Sequence, residues 1–182
     1  MQKPAFIGLY IPLLLIAVTA IPPVAFAQHD MDAAVQGDQS KLVQSVREAT
    51  KQFQDINNAV AAGYSPFLGC VSGSDHGAMG IHYVNGNLIN GTIDVAQPQA
   101  LIYEPRSNGQ MKLVGVEFIT FASTWLRTNS GPPVLEGQVF LYVGSPNRFN
   151  IPAFFELHVW AWRDNPQGPF VDWNDHVTCA KK

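Results

Sequence analysis

The sequence predicts an α+β domain: one N-terminal amphipathic helix packed on a curved, mainly antiparallel sheet of about five strands. Three observations predict it. A single early segment repeats apolar residues at helical spacing. The remainder breaks into aromatic and β-branched runs bounded by Gly, Pro, Asn and Ser. One connection, "PRSNGQ", carries an Asn-Gly hairpin signal. A closed β-barrel with an added helix is the alternative architecture.

The chain of 182 residues starts with "MQKPAFIGLYIPLLLIAVTAIPPVAFAQ", a lysine followed by a long apolar stretch and then "AFA". Small residues at Ala25 and Ala27 fit a secretory signal cleaved after Ala27, so residues 1–27 are expected to be a signal peptide and 28–182 a single domain. An uncleaved anchor is the competing reading, and Pro12, Pro22 and Pro23 interrupt the apolar run it would need. No stable membrane insertion is expected after cleavage. The formal net charge of −3 and the lack of any Lys/Arg-rich run exclude nucleic acid as an expected partner.

The helix follows a polar lead, "QHDMDAAVQGDQS". Leu42, Val46, Ala49, Phe53, Ile56 and Val60 fall at alternating spacings of four and three, on one face. Asp38 or Ser40 can cap its start. Gly63 can supply the left-handed residue that ends it, with Tyr64 packing back.

The expected strands are "GIHYV" (80–84), "ALIYE" (100–104), "KLVGVEFITFA" (112–122), "GQVFLYV" (137–143) and "AFFELHVWAW" (153–162). The chain has two cysteines, Cys70 and Cys179, and no C-x-x-C. In an exported chain they read as one disulfide, tying the C-terminus to the segment before the first expected strand. Two metal-bound thiolates are the less compatible alternative in an oxidising compartment.

Polar residues inside the apolar runs carry the functional signal. Side chains alternate across a strand, so Val114, Val116 and Phe118 are expected on one face and Leu113, Gly115, Glu117, Ile119 and Phe121 on the other. Both faces are apolar except for Glu117, which is therefore expected to be buried and to need a cation, a metal or a proton. By the same parity Phe154, Glu156, His158, Trp160 and Trp162 share a face, and His82 lies mid-strand between Ile81 and Tyr83. Three strands thus each place one metal-ligating residue in an apolar run. His76, in the Gly-rich "SGSDHGAMG", is expected as a fourth ligand or a gate. Imidazoles with a carboxylate suit one transition-metal ion, Zn, Fe, Mn or Cu.

Structural roles compete with this reading. His82 and His158 can be core histidines bonded to backbone, and Glu117 can pair with Arg127 or Arg163. Glu156 can be a ligand, an orienting partner, an acid-base group or half of an arginine pair. Asp75 reads as a turn-former and His176 as a surface residue. A copper site at His29 would need cleavage after Gln28. Trp160, Trp162, Phe170 and Trp173 can be core or the wall of a site. There is no G-x-S-x-G elbow, phosphate-binding glycine loop or dinucleotide fingerprint.

The segments "GAMGIHYVNG", "LVGVEF", "PAFFELHVWAWRDNPQG" and "DWNDHVTC" resemble those of a group of small exported bacterial proteins. That resemblance implies a single-domain periplasmic or secreted bacterial protein and carries no activity or site. The His/Glu set is similar in composition to the three-His-one-Glu site of cupins, with a wider spacing between His76 and His82 than cupins use, which makes the alternative barrel a cupin-like one. The expected function is an exported metal-binding protein with a mononuclear site, acting as a small oxidoreductase or hydrolase if a coordination position is open. The alternative is a metal-free module holding a small apolar ligand in an aromatic pocket.

Overall fold

Helix α1 occupies residues 41–50 at the start of the region that the computed structural model describes, residues 41–180. The expected signal segment, 1–27, and the candidate caps Asp38 and Ser40 lie outside it. Leu42 and Val46 are fully buried, as the periodicity requires. The helix does not run unbroken to Val60. It tightens into a 3-10 turn at Lys51–Gln54 and restarts at Asp55 as α2, Ile56–Ala61. The Asp55 carboxylate accepts from the Asn57 backbone N–H at 2.9 Å, the side-chain capping that lets Asp open a new helix rather than continue an old one. The break turns the second helix, so that Ala59 is buried and Val60 is left 56% exposed. Gly63, at φ 92°, ends α2 as expected. Tyr64 packs edge-on against Phe53 and donates its hydroxyl to Pro98 O at 2.7 Å.

The sheet is wholly antiparallel and curls into a half-barrel. Its strands are β1 (Ser65–Ser72), β2 (Ala78–Val84), β3 (Ala100–Pro105), β4 (Met111–Phe121), β7 (Leu141–Val143) and β8 (Phe154–Val159), in spatial order β1-β2-β3-β4-β8-β7. A separate hairpin pairs β5 (Val134–Leu135) with β6 (Gln138–Val139), and a short α3 (Ala122–Trp125) follows β4. β1 is absent from the expected set because Pro66 and Gly69 hide its alternation, and it is irregular even when formed, with a shift in register between Phe67 and Val71. The run 137–143 is not one strand. Phe140 turns in to be buried and donates its N–H to Pro133 O, separating β6 from β7.

One face of the sheet meets the helices. Leu101, Tyr103, Leu113, Val116, Phe118, Leu157 and Val159 pack there with Leu42, Val46 and Phe53. A bulge in β4 corrects the expected parity. Ile102 pairs with Gly115 and Tyr103 with Leu113, leaving Val114 as the extra residue. Leu113 therefore joins the helix-side core, while Val114 crosses to pack with Ile102 and Trp160. Gly115 is needed at this bulge, since a Cβ there would lie 2.9 Å from Val159 O. The end of β8 makes a second correction. After Val159 the chain turns tightly, Ala161 N–H bonding to Val159 O. Trp162 consequently lies on the helix side, its indole N–H 3.0 Å from Thr50 Oγ1, and does not share a face with His158.

Residues 163–180 form a strap over the opposite face. Trp160 N–H donates to Pro169 O, its indole N–H donates to Val171 O, and Asn174 makes an antiparallel bridge with Ala78. Arg163 donates to the His176 carbonyl. The strap ends at the Cys70–Cys179 disulfide, as the cysteine count led one to expect.

Candidate metal centre

Register carries the side chains together. Directly paired residues point to the same side of a sheet, and so do residues two apart on one strand. Glu117 on β4 pairs with His158 on β8; His82 on β2 pairs with Ile102, which pairs with Gly115, two residues from Glu117. The three polar side chains therefore share the face away from the helices. One ligand atom from each of His82, Glu117 and His158 lies within 4.8 Å of the others. All three residues are buried, at 7%, 5% and 1% exposure.

His82 Nε2 is 3.4 Å from Glu117 Oε2. This contact is not an ion pair, because burial, reinforced by the charge of His158, pulls the His82 pKa down to about 3 and keeps the ring neutral. Glu117 is pushed well above the usual carboxylate range by burial first and by the nearby carboxylates of Glu156 and Asp172, with His158 opposing. For His158, burial lowers the pKa, yet the Glu117 charge and the neighbouring Asp172 and Glu156 carboxylates outweigh it and lift it to about 9. The ring stands at right angles to His82 with centroids 5.8 Å apart, and is stacked on Trp160 at 6.2 Å. Trp160 thus serves as the wall of the site, not only as core.

A second group shares His158. Ligand atoms of Glu156, His158 and Asp172 also converge within 4.8 Å. Glu156 comes from the same strand two residues earlier, and Asp172 from the strap. His158 Nδ1 is 3.5 Å from Asp172 Oδ1, long for a hydrogen bond, and neither ring nitrogen of His158 has a hydrogen-bond partner among the described residues. The close approach of His158 nevertheless holds the Asp172 pKa below its ordinary value, against its partial burial. Two buried imidazole nitrogens without partners are costly in an apolar setting unless a proton, a metal or a ligand engages them.

The remaining candidates separate from this cluster. His76 is exposed in the turn before β2 and belongs to neither converging group. Gly77 serves the strap instead, for a Cβ there would meet Asn174 O at 2.2 Å. Glu117 pairs with neither Arg127 nor Arg163; the latter is engaged by the strap. His176 is exposed, as expected, and its Nδ1 lies 3.2 Å from Asp164 O. Asp172 is the site residue that sequence reasoning missed. Its only signal is indirect: a disulfide at Cys179 brings the tail back over the sheet, but nothing local in "FVDWND" marks it.

Two imidazoles and one carboxylate within ligating reach form a set that suits Zn, Fe, Mn or Cu and leaves coordination positions open. Among the described residues no helix is long and apolar enough to cross a membrane. No family model, curated protein or solved structure matches the chain.

Proposed function

We propose that this protein is an exported metal-binding protein that holds one transition-metal ion through His82, Glu117 and His158, with Asp172 orienting the His158 ring from behind. The observation that carries the proposal is the convergence of three buried ligand atoms from three different strands, one of them on a histidine whose ring nitrogens make no hydrogen bond among the described residues. An ion would take the place of the proton that burial holds on Glu117 and engage His158 at once, satisfying two buried groups with one bond set. Because the three residues leave open positions, an ion held there could act as a Lewis acid towards a bound water or small substrate, the basis of a small hydrolase or oxidoreductase. The signal-like N-terminus and the disulfide support an exported, periplasmic or secreted setting.

Metal analysis of protein purified from the periplasm or culture medium tests this directly. The expected result is about one ion per chain, lost in a His82→Ala/His158→Ala variant; substoichiometric metal in both would sink the proposal. The second reading is a metal-free module for a small apolar ligand. It is favoured by the cavity against the His82–Glu117 pair and by the capacity of a protonated His158 to balance its carboxylates without a metal. It predicts that a chelator leaves the melting temperature of wild-type protein unchanged.

A further inference from the structure

The cavity beside the site is built almost entirely of hydrocarbon. About 40 Å³ of space lies against His82 and Glu117, walled by Val71, Val84, Ile119, Ile151 and Phe154. Of the side chains lining it, only those of His82 and Glu117 are polar, and His158 is not among them. The cavity therefore approaches the cluster from the His82–Glu117 side, whereas the strap and Asp172 back His158. Phe67 and Leu68, on irregular β1, are also part of its lining and are 38% and 51% exposed, so the route inward is itself apolar.

Size and chemistry restrict the occupant. A water needs roughly 10–15 Å³ and two to four polar partners, and an aromatic ring fills an engineered cavity of about 150 Å³. The space here exceeds one water, offers too few polar partners for a water cluster, and is too small for a ring. A charged or heavily hydroxylated molecule would lose its hydration with nothing in the walls to replace it. We infer that the site admits a small uncharged molecule with an apolar body of roughly two or three non-hydrogen atoms, delivered past Phe67 and Leu68 to the His82–Glu117 side. This assignment rests on the metal-site proposal for the identity of what the molecule meets there. Sugars, phosphates and amino acids are excluded as substrates of this approach.

Two measurements test it. Under xenon pressure, a crystal of the wild-type protein should show one xenon atom against Val84 and Ile119. The His82→Ala/His158→Ala variant should keep it. Ile151→Trp, at the partly exposed rim, and Val84→Phe, on the wall, should each lose it while still binding metal. With Co²⁺-loaded protein, methyl isocyanide, short and uncharged, should shift the visible absorption bands at a concentration at least about tenfold below that needed by azide, and Ile151→Trp should weaken that response about tenfold. Failure of xenon to occupy the cavity, or azide acting at the lower concentration, overturns the inference. Xenon in the cavity of a protein that takes up no metal overturns the metal-site proposal and leaves the cavity's selectivity standing.

Discussion

Asp172 shows how much a single side chain can do from outside a ligand set. It is not a member of the His82–Glu117–His158 group, but it stands 3.5 Å from His158 Nδ1. Partners of this kind fix the orientation and basicity of a metal-bound imidazole, and losing one costs about 10–100-fold in affinity. Asp172→Asn should therefore weaken metal binding by about that factor, measured by competition with a chromophoric chelator, with little change in the circular dichroism spectrum. Acidity makes a second prediction. A His158 pKa near 9 means that metal must displace a proton below that pH. Apparent affinity should then rise about tenfold per pH unit from neutrality up to about pH 9, more steeply where the raised Glu117 also releases its proton. Burial of Glu117 could be anticipated from its strand, greasy on both sides. The neighbour that tunes His158 could not, since Asp172 is fourteen residues further on in a loop.

At the scale of elements, β4 and β8 supply the rigid part of the site through an in-register pair, Glu117 opposite His158. The bulge at Val114 and the turn after Val159 then decide which aromatic and aliphatic groups surround it. Neither is visible to strict alternation, because one inserted residue reverses the faces of everything beyond it. This is why Leu113, Val114 and Trp162 depart from their expected sides while Glu117 and His158 keep theirs. The helix shows the same limit, as an Asp55 cap stops a periodicity that otherwise runs on to Val60. The turn before β2 depends on Gly77, at φ 68° and in contact with the Asn174 backbone. Gly77→Ala should lower unfolding free energy by about 2 kcal/mol or more, combining left-handed strain with displacement of the strap. Urea denaturation measures this, and the same variant should bind metal less tightly if the strap carries Asp172 out of place.

For the whole molecule, the disulfide links Cys70 of β1 to Cys179 across 109 residues and closes the strap over the site. Loop-closure entropy allows up to about 4.7 kcal/mol for a link of that length. A Cys70→Ser/Cys179→Ser variant should lose a large part of this in a denaturation experiment. The metal-free protein should also show a flat stability maximum between about pH 4.5 and 6.5, where the gain from His82 and the loss from Glu117 offset one another. His158, raised, contributes stability that is complete below the ordinary histidine value and lost as pH climbs towards 9, while raised Glu117 begins to lose its contribution already above its ordinary value of 4.5. His82, lowered, contributes stability present above the ordinary value and lost as pH falls towards 3. Thermal melts across pH 3–9 with chelator present check both limbs, and added metal should flatten the alkaline one. The sequence by itself determined the α+β composition, the Cys70–Cys179 pair, the burial of Glu117 and the mid-strand positions of His82 and His158 in apolar runs, because hydrophobic periodicity and cysteine economy are local or countable. Only the tertiary structure decided that these three meet, that His76 stays apart from them and that Asp172 joins from the strap. Those outcomes depend on strand order, bulges and the return of the tail, which bring together residues separated by long stretches of chain.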